Sequence, residues 1–380
     1  MTGKMGKKNI PFGVSLLLIV GALVAVQTIW WKGLVAKPPG KSLPRLSPGP
    51  AGQADRQTII PGREEVIVET FAGDRAPGVV NGEGYAARFD RPTGLAMDKD
   101  GNLLVCDTGN NAIRRIAPSG ETSVLAGGEA GNGDGTNAKF NAPCGIAVAE
   151  DGSIYVADTG NRSIRRISNG SVSSIAPHDK LISMIPLSVA IAKVVNASSK
   201  TSTNLLIADS ASNQLLKLEP DGRVSGIINS QSPASSVAIS PSVKSNDKPV
   251  IGIAFPKSGD IMIGEKRFHE IPVESRSGAG GGGPIPRLKH PLALCPFGQD
   301  WLISDSDHGA LFLFRNGKAE VLAGYCSSGG PLRGARDGTG ANASFNTICG
   351  IAFDGKKYVY LSDTDNNLIR RLDVSRVMGR

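Results

Sequence analysis

Two stretches of the chain carry residues fit for acid–base chemistry. LLVCDTGNNAIRRI at 103–116 and IYVADTGNRSIRRI at 154–167 each lead an apolar segment into Asp-Thr-Gly. Two carboxylates held side by side can share one proton and activate water, one acting as base while the other acts as acid. Asp107 and Asp158 are the candidates for such a dyad, and the elements that carry them decide whether they can meet.

The same pattern recurs beyond this pair. IADSASNQLLKL starts at 207, ISDSDHGALFLF at 303 and LSDTDNNLIRRL at 361, and a weaker copy, MIGEKRFHEIPV at 262, puts Glu265 in the acidic column. The acidic positions 107, 158, 209, 265, 305 and 363 are 51, 51, 56, 40 and 58 residues apart, which predicts six quasi-regular units. An aspartic-protease dyad accounts for two carboxylates but not for six copies in equivalent places. Asp, Asn and Gly accept local hydrogen bonds and left-handed backbone, so Asp107, Asp158, Asp209, Asp305 and Asp363 are read as structural residues of a strand-to-strand turn.

Further columns repeat with them. RPTGLAMDKDG, APCGIAVAEDG and TICGIAFDGKK precede the strong copies, with ETFAGD, SVLAGG and EVLAGY farther upstream, and Phe89, Phe140 and Phe345 recur in Ala-x-Phe contexts. Each unit thus holds about four short β-rich runs broken by turn residues, as in a propeller blade. The 48 glycines fit that many turns and do not fit a helical bundle. Spanning about 64–376, the units resemble NHL repeats, strongly in the first, second and sixth copies and weakly in the fourth and fifth. The resemblance implies an all-β, six-bladed β-propeller, a fold used mostly for binding and less often for catalysis. The chain enters at what corresponds to an outermost strand (64–73) and ends after a third strand. The first strand is therefore expected to complete the sixth blade.

The N-terminal part differs in kind. Residues 1–9 form a short basic tail, and 10–31 (IPFGVSLLLIVGALVAVQTIWW) contain no charge and end in a tryptophan pair. This segment is long enough for a transmembrane signal-anchor helix, with a cleaved signal peptide as the rival reading. Residues 32–62 read as a Pro/Gly/Ser-rich tether, 63–376 as the propeller and 377–380 as a tail. The expected location is a single-pass membrane protein with its propeller on the non-cytoplasmic side. The net charge of +8 partly reflects the flanks of the anchor and is weak evidence for nucleic acid, which is not the expected partner.

In a propeller, second-to-third strand turns and interblade connections share one face. The connections 73–89, 127–140 and 324–345 therefore make that face the expected site for a protein partner or other ligand, with Asp74, Asp134, Lys139, Arg162, Arg333, Arg336 and Asp337 on it. The arginine pairs 114–115, 165–166 and 370–371 should alternate between the two sides of a strand and pair with acids. Ile113, Ile164 and Ile369 should pack between blades. No catalytic residue and no cofactor is expected. The alternative is a zinc or calcium enzyme of the propeller lyase or lactonase class, built from Glu265, His269, His290, Asp305, Asp307 and His308, with His178 toward the same face. Five cysteines without a Cys-x-x-Cys pair read as buried thiols, with Cys326–Cys349 as the most plausible disulfide. The stretches 242–249 and 275–286 read as insertions in the fourth unit.

Overall fold

A computed structural model describes residues 66–175, 184–195, 201–230, 232–240, 249–274, 287–324, 326–327, 330–331, 333–340 and 342–378. The expected anchor at 10–31 and tether at 32–62, His178, most of 242–249, and 275–286 lie outside them, as does the Cys326 side chain. Chain contacts divide at Gly62/Arg63, and every described residue belongs to the second unit. Among the described residues no helix is long and apolar enough to cross a membrane.

The described chain folds into six antiparallel four-strand blades, some with an added outer strand. Blade one contains Pro92–Met97, Leu103–Asp107, Ala112–Ile116 and Glu121–Gly127, from the axis outward. Blade two contains Pro143–Val148, Ile154–Asp158, Ser163–Ser168 and Ser171–Ser174, and blade three Pro186–Val195, Thr201–Asp209, Gln214–Leu218 and Val224–Asn229. Blade four contains Ser236–Ser240, Val250–Phe255, Asp260–Ile263 and Lys266–Phe268, and blade five Pro291–Phe297, Asp300–Asp305, Ala310–Arg315 and Lys318–Ala323. Blade six takes Ile348–Phe353, Tyr358–Asp363 and Leu368–Asp373 from the C-terminal end and Ile67–Ala72 from the other, Val68 pairing with Leu372 and Thr70 with Arg370. The ring therefore closes as its strand order required.

Apolar side chains fill the wedges between blades. Ile113 and Phe140 share one cluster across blades one and two, Ile164 and Val189 another across two and three, and Ile369 and Phe89 a third across six and one. All three isoleucines are fully buried, as their column predicts. Near the axis the inner strands come so close that side chains must shrink. A Cβ on Gly94 would lie 2.3 Å from the Cys144 carbonyl, and one on Gly350 would lie 2.1 Å from that of Thr93. Hydroxyls bridge the same gap: Thr108 donates to the Pro143 carbonyl at 2.7 Å, Thr159 to Pro186 at 2.6 Å, and Thr364 to Pro92 at 2.7 Å, the last across the closure. Gly350→Ala should consequently destabilise the ring by about 1–3 kcal/mol, because the clash is with backbone. Gly133→Ala, where a Cβ meets nothing within 4 Å, should be nearly neutral. Denaturant midpoints of the two variants check this.

The sequence reading of blade four is corrected. Phe255 and not Glu265 holds the acidic column there, since Phe255 ends the second strand and pairs with Asp260 as Asp209 pairs with Gln214. Glu265 instead lies in the turn between the third and fourth strands, because MIGEKRFHEIPV straddles that turn. Charge at this position had mimicked the motif.

Candidate functional site

The upper face carries the second-to-third strand turns and the interblade connections; the other turns lie on the lower face. In blades one, two and six the turn after the Asp is a single 3-10 turn, Thr108–Asn110, Thr159–Asn161 or Thr364–Asn366, followed by a left-handed residue. That residue is Asn111 or Asn367 in two of them, with φ of 53° and 58°, and Arg162 in the third, with φ of 54°. Asn tolerates this conformation and Arg does not favour it. Arg162→Asn should therefore stabilise the fold by about 0.5–1 kcal/mol, read as a higher melting midpoint.

Asp107, Asp158 and Asp363 are sealed from solvent, and each is engaged by its own blade. Asp107 accepts from the Asp90 amide at 2.8 Å, Asn110 at 2.8 Å and Arg114 at 2.9 Å. Asp158 does the same with the Asn141 amide, Asn161 and Arg165, each at 2.8 Å. In blade six the Asn346 amide, Asn366 and Arg370 hold Asp363 at 2.9, 2.8 and 2.9 Å. The guanidinium groups are themselves fully buried and lie over Phe89, Phe140 and Phe345, 5.1 to 5.2 Å from the ring centroids. Each Nε is buried without a hydrogen-bond acceptor, a cost that recurs with the motif. The first arginine of each pair is thus an internal cross-link out of reach of any phosphate, while Arg115 points to solvent.

These carboxylates form no dyad: each is hydrogen-bonded within its own turn and paired to its own arginine. Burial pushes Asp107 up to about 6 against the pull of Asn110, the Asp90 amide and Arg114, and it raises Asp158 and Asp363 too. A carboxyl raised by folding binds its proton more tightly in the fold than in the unfolded chain, where its pKa is about 3.9. Its contribution to stability is therefore complete below about pH 4 and is lost as pH rises through about 6. Relative to Asp107→Asn, the wild-type protein should be favoured most at about pH 4 and below, and the gap in melting midpoint should narrow as pH rises through about 6 toward 7. A gap that widens toward neutrality contradicts this assignment.

Other blades depart from the clasp. Leu216 and Phe312 stand where blades one, two and six have the arginine, as the strand registers show. In blade five Asp305 is fully buried and accepts from the amides of Lys289, His290, Asp307 and His308 at 2.6, 3.1, 3.0 and 3.2 Å. His308 Nδ1 lies 3.2 Å away; burial pushing the carboxyl up is outweighed by His308 and the Lys289 and His290 amides, so it is held low. Blade four rebuilds the trio from new positions: Arg267 pairs with Asp260 at 2.9 Å and stacks 4.6 Å from the Phe255 centroid.

The residues considered for a metal do not converge. His269 Nδ1 lies 3.0 Å from Asp260, His290 Nδ1 lies 4.0 Å from Asp307, and Glu265 is on the lower face. Among the described residues no group of three or more His, Cys, Asp or Glu side chains could hold a metal ion. Asp305 already spends its lone pairs on four amides, so the donor set does not fit zinc or calcium. Cys144, Cys295 and Cys349 are free thiols that burial raises to about 11, 12 and 12, unsuited to nucleophilic chemistry at neutral pH. The axis holds a cavity of about 390 Å³ lined by uncharged residues, apolar ones such as Leu95, Met97 and Phe353 and small ones such as Gly94, Ser188 and Gly350.

The proposed binding-face residues are mostly engaged. Asp74 pairs with Arg88 at 2.8 Å and Lys139 with Glu129 at 2.7 Å. Arg333 donates to Asn346 and to the Ser306 carbonyl at 3.0 Å. Asp134 and Asp337 close the clasps from the connections, on Arg165 at 2.6 Å and Arg370 at 2.5 Å. Asn81 plays that part for Arg114 at 2.9 Å and went unnoticed in the sequence. The signal was available: Asn-Gly at 81, Asp-Gly at 134 and Asp-Gly at 337 each precede one of the three phenylalanines. The glycines pair with the outer strand of the following blade, Gly82 with Thr122, Gly135 with Val172 and Gly338 with Val68.

The NHL repeat family profile matches residues 89–116, the segment from Phe89 through the clasp of blade one. NHL repeat-containing protein 2 from Gallus gallus is 33% identical over 138 residues, which are 33% of this chain and 18% of that protein. The chain is a β-propeller that carries an NHL repeat at residues 89–116. Homo sapiens Teneurin-4 is 35% identical to the NHL propeller over 99 residues, 21% of this chain and 4% of that protein. An auxiliary nutrient binding protein from Bacteroides thetaiotaomicron shares the NHL propeller's fold with a TM-score of 0.57 at 13% identity, covering 81% of this chain and 76% of that one. The chain spans about a fifth or less of the length of these two curated relatives.

Proposed function

We propose that the NHL propeller is a recognition scaffold whose upper face binds a protein or other ligand, tethered through residues 10–31 to a membrane with the propeller on its non-cytoplasmic side. One observation carries this reading. The carboxylates best placed by the repeats for chemistry are buried and bound to arginines or amides, so they fix the loops around them instead of facing a substrate. Rigid strands under clamped loops give a preorganised surface, which lowers the ordering cost of association. One solved neighbour of the same fold is called a nutrient binding protein, which accords with this reading.

Photo-crosslinking in cells tests the reading on the full chain. A crosslinker at Arg75 or Glu129, on upper connections, should give adducts with a defined partner, whereas one at Asp100 or Lys356, in lower turns, should not. Equal adducts from both faces, or none from the upper one, would overturn it. Release of the full chain from membranes by alkaline carbonate would remove the tether. Stoichiometric zinc or calcium, lost on Glu265→Gln with His269→Gln, would replace the scaffold with a metalloenzyme.

A further inference from the structure

The upper connections of blades one, two and six share a frame that fixes the backbone and leaves side chains to vary. In each, a glycine amide donates to the carbonyl of the stacked phenylalanine: Gly78 to Phe89 at 3.1 Å, Gly131 to Phe140 at 2.9 Å and Gly334 to Phe345 at 3.3 Å. The same glycine's carbonyl accepts from the turn asparagine, at 2.8 Å from Asn110, 2.6 Å from Asn161 and 2.7 Å from Asn366. Two residues later a carbonyl accepts from the buried arginine: Val80 at 2.9 Å, Gly133 at 2.7 Å and Arg336 at 2.8 Å. The next side chain, Asn81, Asp134 or Asp337, closes the clasp. Between these fixed points lies a dipeptide whose backbone is held and whose side chains differ: Val79-Val80, Asn132-Gly133 and Ala335-Arg336.

In blade one the display is apolar. Val79 and Val80 are 49% and 43% exposed, and Tyr85 on the same connection is 64% exposed. Three of the eight exposed large hydrophobics among the described residues fall within seven residues, a clustering unlike singly scattered surface apolarity. The Tyr85 hydroxyl lies 3.5 Å from Asp337, which ties this patch to the blade-six connection where Arg336 is exposed. Apolar groups on a backbone that is already ordered, beside an arginine, have the makeup of a binding hot spot.

We infer that Val79, Val80, Tyr85 and Arg336 form the specificity-determining patch of the upper face, and that its partner is a protein segment with an apolar side chain next to a carboxylate. This rests on the scaffold reading and gives it residues. The valines bury the apolar side chain, and the Arg336 guanidinium takes the carboxylate. The nearby carboxylates of Asp74 and Asp337 are already paired with Arg88 and Arg370, so they do not repel an acidic segment as free charges would. None of the four side chains supplies a clasp bond to its buried arginine; the frame uses backbone carbonyls and the Asn81 and Asp337 side chains, so the patch can be altered while the frame stays.

The test titrates the full chain with two fluorescein-labelled peptide pools sharing the same apolar residues, one with interspersed Asp and Glu and one with Lys and Arg. The acidic pool should bind and the basic pool should not. Val79→Ser with Val80→Ser should weaken the acidic pool at least tenfold with an unchanged melting midpoint, and Arg336→Glu should invert the preference. Equal binding of the pools, no binding of either, or variants that bind as the wild type does would overturn the assignment. Loss of binding on exchanging residues 127–140, with the valine and arginine variants unaffected, would leave the upper face as the binding face and move its specificity to blade two.

Discussion

Arg114→Met should lower the free energy of unfolding by about 3–5 kcal/mol, while Arg115→Met changes it by no more than about 0.5 kcal/mol. The two residues are chemically identical neighbours on one strand, and alternation sends one inward and one outward. Arg114 is fully buried and donates to Asp107, Asn81 and the carbonyls of Arg88 and Val80 at 2.9 to 3.0 Å. Methionine keeps much of the apolar contact with Phe89 but leaves the carboxylate and two carbonyls without that donor. Arg114, on the third strand, also reaches Asn81 in a connection 33 residues earlier, so its loss loosens that connection too. Chemical denaturation of both variants checks the contrast. Equal and small effects would show that the buried pair is replaceable by packing alone.

Deleting residues 66–73 should abolish cooperative folding of the ring or lower its melting by tens of degrees. The segment supplies the outer strand of blade six, with register pairs from Ile67↔Asp373 to Ala72↔Ile369. It also buries Val66, Val68, Phe71 and Ala72, each 8% exposed or less. Full burial of a Val or Phe side chain contributes about 1.5–3 kcal/mol, so the three large ones alone approach the marginal stability of about 5–15 kcal/mol typical of native domains. The exposed edge of Leu368–Asp373 would then be open to pairing with other chains. A truncated protein that melts where the full one does would sink the closure.

Much of this was legible before any coordinates. The Asp-Thr-Gly turns, the Ala-x-Phe columns and the unpaired first strand are local patterns repeated at near-constant spacing, and repetition multiplies a weak signal. Legibility failed where a blade departed from the pattern. Glu265 was aligned on its charge, yet the strand pairing gives its column to Phe255, and nothing in the sequence marks an aromatic residue as the replacement for an acid. The side chains of Asp134 and Asp337 stay partly exposed, as their place in loops predicts, yet each also reaches a guanidinium more than 30 residues away along the chain.

The sequence by itself determined how many blades there are, where the turns of the well-preserved blades fall and which strand closes the ring, because these follow from short-range backbone chemistry and from the order of the repeats. Only the tertiary structure decided which charges are sealed and which side chains are displayed. Arg114 and Arg115 have the same residue type, as do the aspartates of the turns and of the loops. Their roles differ because a neighbouring connection folds over one set and leaves the other in water, and that depends on distances the chain acquires only when the ring is closed.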